Sequence, residues 1–193
     1  MSAQKVRMEV EYKNIQRFFV GSFNIAKGEG IMVTDPCYQG GDKEINNVKP
    51  GIWLCYVERV ETDNGWGKRN ITLSAVHETI ANNIGVMSVP FGNIGVDSGQ
   101  AGMYALRGWQ ENRPSEDDYD RVCVTTLSTT IHAGMVEYGV TSSSGFGDGG
   151  YELYGRIDDE QVVGLEVVFI TQPGDPRNFE DDPDYEDEEP EDD

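Results

Sequence analysis

The chain has 193 residues and a formal net charge of −20, with 35 acidic residues against 15 lysines and arginines. This length fits one domain with an appendage better than two domains. The negative charge repels phosphate backbones, so the sequence argues against direct nucleic-acid binding. A folded part of about 170 residues buries roughly 70% of its unfolded surface and needs no disulfide or metal staple.

Acidic residues are concentrated at the end of the chain. Residues 175–193 contain twelve of them and one basic residue, Arg177. Such a segment cannot bury enough apolar surface to offset the entropy of ordering. We therefore expect a single mainly-β domain at 1–173 and a disordered acidic tail at 174–193.

Three cysteines, Cys37, Cys55 and Cys123, lie far apart in the sequence, and no CxxC pair is present. This spacing predicts reduced thiols, with no structural zinc site and no cofactor. The first residues lack the apolar segment of a secretory signal, and no apolar run approaches the roughly 20 residues of a membrane span. We expect a cytoplasmic protein without membrane contact, in the host cytoplasm if a phage encodes it.

Apolar runs and strict alternation predict strands in the first half of the chain at 6–12, 17–25, 31–33, 52–60 and 71–78. Asp63-Asn64-Gly65 joins the last two strands, because these residues tolerate positive φ and favour a tight hairpin. On the return strand Ile71, Leu73, Ala75 and His77 share one face. This hairpin is the best-defined element of the sequence.

In the second half, strands are predicted at 84–89, 93–96, 102–106, 134–140, 151–157 and 162–170. One helix is predicted at 115–128, where Ser115 is a candidate N-cap and acidic residues follow it. Its buried stripe comprises residues at helical spacing, Tyr119, Val122, Cys123, Thr126 and Leu127. These strands and one packed helix predict a β-sandwich or a partly open barrel.

Three loops carry small polar or acidic residues where predicted strands end, at 33–38, 95–100 and 142–151. Their glycines allow a ligand to approach the backbone, and their side chains offer hydrogen-bond donors and acceptors. If the loops meet at one rim, they form a pocket lined by Asp35, Asp97, Ser98, Gln100, Asp148 and Tyr151. In the alternative interpretation, which we favour for any single loop, Asp and Ser satisfy backbone amides in tight turns.

Catalytic and metal-binding interpretations of these loops are weaker. Val96-Asp97-Ser98-Gly99 matches the short motif of aspartic proteases, in which two carboxylates share a proton. Gly147-Asp148-Gly149 lacks the hydroxyl residue of a second motif, so a chance match is favoured. Carboxylates of Asp35, Asp97 and Asp148 would suit a hard cation, but calcium-loop spacing is absent. The sequence therefore predicts no metal site and no catalytic residue.

A resemblance extends over residues 18–170. It is carried by Asp35-Pro36, Pro50-Gly51, the run 96–102, the helix around 119–123 and the run 144–151. In these segments the sequence resembles a family of uncharacterised bacterial and tailed-phage proteins. The resemblance implies a mostly β domain. Because that family has no established activity, it assigns no role to any residue.

Two functions follow as hypotheses. The first is a non-enzymatic binding protein, a phage accessory or anti-defence factor, that takes a small polar ligand or a basic protein surface. In it the acidic tail either mimics a polyanion or aids solubility. The alternative is a hydrolase that uses Asp97 and Asp148, with or without a divalent cation, and requires these carboxylates to approach each other. The oligomeric state is left open.

Overall fold

The computed structural model of the chain describes residues 13–38, 41–62, 65, 67–114 and 118–171. Within these ranges there are eleven strands, two α-helices and a 3-10 turn at Glu78–Ile80. In chain order the elements are β1 (Lys13–Ile25), β2 (Ile31–Thr34), β3 (Lys43–Ile45), β4 (Gly51–Thr62), β5 (Gly67–His77), β6 (Val89–Val96), β7 (Gln100–Ala105), α1 (Leu106–Asn112), α2 (Tyr119–Leu127), β8 (Ala133–Val136), β9 (Gly139–Ser143), β10 (Gly149–Asp158) and β11 (Gln161–Val168). The predicted strand at 6–12 and the predicted tail lie outside the described residues.

The strands form two open sheets. The larger sheet has the order β1-β4-β5-β11-β10-β6, and the smaller has the order β3-β2-β7-β9-β8. Neighbouring strands in both sheets pair antiparallel. The predicted mainly-β class is confirmed, in the form of two packed sheets that do not close into a barrel.

One hydrophobic core lies between the sheets and draws on both of them. Trp53 and Leu73 from the larger sheet and Met103 and Val140 from the smaller are completely buried. On β4 the inward positions alternate with partly exposed ones, the pattern expected for a strand with one face on a core. The core holds the strand ends of the two sheets in a fixed relation, and this relation positions the loops.

The last strand, β11, is central in the larger sheet. Its neighbours are β5 and β10, and its outer face contributes Val163 and Val168 to a second apolar cluster. Ile80 and Met87, from the segment that follows β5, cover this cluster. Residues 83–88 form neither helix nor strand, so the strand predicted at 84–89 is wrong. Met87 and Ile84 pack against the outer face of the sheet instead of pairing with a strand.

Helical structure differs from the prediction in two respects. A further helix, α1, follows β7 and buries Trp109, whose ring stacks on Tyr104 with centroids 4.7 Å apart. The predicted helix begins later, with α2, and its predicted N-cap lies outside the described residues. Of its predicted stripe only Val122 and Thr126 are buried, whereas 65% of Leu127 is exposed. No helix in the described ranges is long and apolar enough to cross a membrane.

Candidate functional site

Asp35 follows β2 directly and is 2% exposed. Its Oδ1 accepts hydrogen bonds from the backbone N–H of Cys37 (2.7 Å) and Tyr38 (3.2 Å) and from the hydroxyl of Ser98 (2.8 Å). Its Oδ2 accepts from the backbone N–H of Asp97 (2.9 Å) and Ser98 (2.7 Å). Five donors satisfy both oxygens of the carboxylate, so Asp35 joins the first predicted loop to the second.

The glycine-rich third loop meets the second loop through the backbone. The N–H of Ser144 donates to the carbonyl of Gly99 at 3.0 Å, and a Cβ at Gly99 would lie 3.9 Å from Cα of Gly147. The hydroxyl of Tyr151 lies 2.9 Å from the carbonyl oxygen of Ser144 and 2.6 Å from that of Gly147. The structure therefore brings the three loops together at one end of the sandwich.

The remaining predicted residues divide into buried and exposed groups. Gln100 is buried, and its side chain contacts α2: its Oε1 accepts from the hydroxyl of Thr126 (2.8 Å) and its Nε2 lies 3.3 Å from Sγ of Cys123. Asp97 and Asp148 are exposed. Asp35, Ser98, Gln100 and Tyr151 thus use their polar atoms within the fold, the arrangement expected for turn residues that satisfy their surroundings.

The chemistry of these loops offers no activated nucleophile. Burial, followed by the charge of Asp35, raises the pKa of the Cys37 thiol to about 11. Burial also raises the pKa of the Tyr151 hydroxyl. No group of three His, Cys, Asp or Glu side chains in the described part of the chain is arranged to hold a metal ion. The carboxylates of Asp35, Asp97 and Asp148 therefore do not form a cation site.

A second polar region continues from the third loop along the same end of the sandwich. The amide nitrogen of Asn70, on β5, donates to Oγ of Ser142 (2.8 Å) and to the carbonyl of His132 (3.1 Å). A Cβ at Gly145 would lie 3.3 Å from the carbonyl oxygen of Asn70. The register partner of Asn70 on β4 is Arg59, which lines a cavity of about 330 Å³. The other polar residues of the lining are Asn14, Gln16, Glu61, Lys68 and Thr130.

Arg59 is the buried charge of this cavity, with 5% of its surface exposed. It lies two residues after Val57, at a position of β4 whose side chain points into the core. The alternation of the strand predicts an apolar residue there. Its Nη2 donates to the carbonyl of Lys68 at 3.2 Å. Its Nε and Nη1 are buried and find no hydrogen-bond partner among the described residues. An uncompensated buried charge of this kind costs about 3–5 kcal/mol of folding free energy.

Irregular pairing on both sides of Arg59 shapes the cavity. On β1 its register partner is Gln16, and the ladder shifts between Lys13 and Gln16, where Asn14 has a φ of 61°. On β5 its partner is Asn70, and the ladder shifts between the pairs of Glu58 and Arg59. Bulges redirect side chains and recur beside functional sites. Here the regular pairing of β4 with β1 and with β5 is interrupted next to the buried guanidinium of Arg59.

The cavity is positively charged although the protein is acidic. Burial, then the neighbouring Arg69, lowers the pKa of Arg59. Burial, then Arg59 and Arg69, lowers the pKa of His132. Lys68 lines the cavity as well, and Glu61 is the acidic group in the lining. Neighbouring cations in a partly closed space create a field that favours an anion.

Sequence reasoning missed this cavity. One feature of the sequence does indicate it. In the predicted strand 52–60, the charged Arg59 falls on the same face as Trp53, Cys55 and Val57. Nothing in the sequence places Gln16, Lys68 and Thr130 beside it, because those contacts depend on the register of three separate elements.

No protein-family model matches the chain, and neither curated proteins nor solved structures gave a match. The resemblance to bacterial and tailed-phage proteins stays a prediction. So does the role of the six predicted loop residues in binding.

Proposed function

We propose that this protein is a non-enzymatic binding protein whose ligand is a small anionic molecule held at Arg59. The observation that carries the proposal is the buried guanidinium, whose Nε and Nη1 have no acceptor in the described part of the chain and which lines a cavity of about 330 Å³. An oxyanion that accepts from these groups offsets the cost of burying the charge.

The cavity indicates a class of ligand. Its volume falls at the lower end of the range for small-molecule sites, about 300–1,000 Å³. Arg59 and Lys68 suit a carboxylate, sulfate or phosphate group, while Asn14, Gln16 and Thr130 offer neutral donors and acceptors. Phe18 and Ile131 supply apolar walls for a short carbon skeleton. We expect a compact organic anion of a few carbon atoms.

Binding is favoured over the hydrolase alternative. Asp97 and Asp148 are exposed side chains, and Asp35 has both oxygens occupied by backbone and hydroxyl donors. A general base needs a free carboxylate beside a cavity that excludes water. The loop carboxylates lack that setting, whereas Arg59 lines a cavity and its Nε and Nη1 have no acceptor among the described residues.

The test uses thermal unfolding of the full chain with sodium sulfate, sodium phosphate and sodium succinate, each at constant ionic strength. A ligand of the folded state raises the melting temperature with a saturable concentration dependence. We expect this rise for at least one anion in the wild type and in Arg17→Met, and its loss in Arg59→Met. Arg17 is the matched control because it is an exposed arginine, 4.3 Å above the Tyr56 ring. An equal rise in Arg59→Met would overturn the proposal.

A further inference from the structure

The described chain ends against β5, the strand that contributes Lys68 to the Arg59 cavity. After β11 the N–H groups of Phe169 and Ile170 both donate to the carbonyl of Ile71, at 2.8 and 3.2 Å. Ile71 lies on β5 and follows Asn70, the register partner of Arg59. Phe169 and Ile170 are therefore held one position along β5 from the register partner of Arg59.

Charge complementarity connects the acidic end of the chain to the cavity. Residues 175–193 contain twelve carboxylates and one cation, Arg177. Three of the chain's 15 lysines and arginines, Arg59, Lys68 and Arg69, lie in or next to the cavity. Carboxylates are natural acceptors for a guanidinium with unpaired N–H groups.

From these two observations we infer that the acidic segment 175–193 of this chain is an intramolecular ligand of the Arg59 cavity and competes there with the small anion. The inference rests on the proposed function and adds its regulation. It gives the acidic segment a defined site on its own protein, whereas the sequence suggested only a polyanion mimic or a solubility aid.

Reach and concentration permit this contact. Asp175 is four residues beyond Thr171, a distance the chain spans up to about 14 Å. A short linker gives a tethered group an effective concentration of about 1 mM. If the segment alone binds with a dissociation constant of about 0.1 mM, tethering weakens binding of an external anion roughly tenfold.

A competing occupant exists within the chain. Glu9 and Glu11 precede Lys13, and Lys13 pairs with Glu61 at the same end of β4. The two segments differ in charge, because 1–12 holds Lys5 and Arg7 beside its two acids, while 175–193 is almost wholly acidic. The larger negative charge favours the later segment, and the experiment separates the two.

The first measurement compares sulfate affinity of the full chain with that of a full-length variant in which every Asp and Glu of 175–193 becomes Asn or Gln. We expect sulfate to bind the neutral variant roughly tenfold more tightly, and Arg59→Met to abolish binding in both backgrounds. Equal sulfate affinity in both chains overturns the inference and leaves the proposed function standing. If neither chain binds any of the three anions, the proposed function itself fails.

The second measurement is zero-length carbodiimide cross-linking of the full chain, read by mass spectrometry. Lys68 is the target and Lys27, exposed in the turn after β1, is the control. Cross-links from 175–193 should fall on Lys68 in preference to Lys27, and both sulfate and Arg59→Met should reduce them. Equal labelling of the two lysines, or cross-links of Lys68 to Glu9 or Glu11 in place of 175–193, overturns the inference.

Discussion

The hydroxyl of Ser98 donates to the carboxylate of Asp35 at 2.8 Å across 63 positions of sequence. The backbone N–H groups of Cys37 and Asp97 also donate to this carboxylate. Asp35 therefore joins two loops that are far apart in the sequence. A buried carboxylate with this many donors serves the fold, and its removal leaves each donor without an acceptor. The junction of the loops at Asp35 is therefore a structural feature of the fold.

Replacing Asp35 with Asn should destabilise the protein by about 3 kcal/mol, because one side of the amide presents N–H groups to donors that need an acceptor. Equilibrium unfolding in urea measures this difference. Asp97→Asn is the control: Asp97 is exposed and should change stability by less than about 0.5 kcal/mol. Equal stabilities for the two variants would contradict the role assigned to Asp35.

Arg59→Met should make the anion-free protein more stable. Methionine fills a similar volume and removes an uncompensated buried charge, so we expect a gain of about 1–3 kcal/mol. Urea unfolding in a chloride buffer without sulfate, phosphate or carboxylate checks the sign, with Arg17→Met as the surface control. A loss of stability would show that Arg59 serves the fold, in which case its burial carries no argument for a ligand.

The strands were predictable because alternation records which face of a strand is buried. The β4–β5 hairpin follows from Trp53, Cys55 and Val57 on one strand and Leu73 and Ala75 on the other. The helix α1 was not predicted, since Leu106 continues an apolar run. Tertiary contacts make this segment helical: the N–H of Leu106 donates to the carbonyl of Gly30, and Trp109 stacks on Tyr104.

The predicted stripe of α2 failed for a related reason. Helical spacing placed Leu127 and Tyr119 in the core, but the buried face is set by the hydroxyl of Thr126, which donates to Gln100. In this nine-residue helix, a hydrogen bond to a distant segment decides which face is buried, and the number of apolar residues on each face does not. The convergence of the three loops was predictable from strand ends, whereas the Arg59 cavity depends on two ladder irregularities that alternation does not reveal.

Stability should fall more steeply below pH 6.5 in the wild type than in His132→Asn. The folded state lowers the pKa of His132 through burial and the charges of Arg59 on β4 and Arg69 on β5. Below its ordinary pKa of about 6.5 the unfolded chain therefore binds a proton that the folded chain resists, and the folded state loses stability as pH falls.

The measurement is urea unfolding at pH 7.0 and 5.5 for both proteins. Asparagine is the chosen replacement because His132 has a φ of 51°, a conformation that Asn tolerates. Saturating sulfate should reduce the wild-type pH dependence, since an anion at Arg59 weakens the cationic field on His132. Identical pH dependence in the two proteins would show that His132 does not sense these charges.

The three thiols should differ sharply in their reaction with iodoacetamide at pH 8. Cys123 is partly exposed, Cys55 is fully buried, and Cys37 is 7% exposed with a pKa of about 11. At pH 8 roughly a thousandth of Cys37 is thiolate, the reactive form, so native labelling should stop at Cys123. Mass spectrometry of the labelled peptides reads the three sites separately.

Iodoacetamide labelling of Cys37 also tests whether the hydrogen bonds of Asp35 protect this thiol. Asp35 raises the pKa of Cys37 by its charge and donates no hydrogen, so Asp35→Asn should increase both the thiolate fraction and the exposure of this thiol. We expect Cys37 to label at least tenfold faster in Asp35→Asn than in the wild type, with Cys123 unchanged as the internal reference. If Cys37 in the wild type already reacts as fast as Cys123, the loop opens readily, and the five donors on Asp35 do not hold it closed.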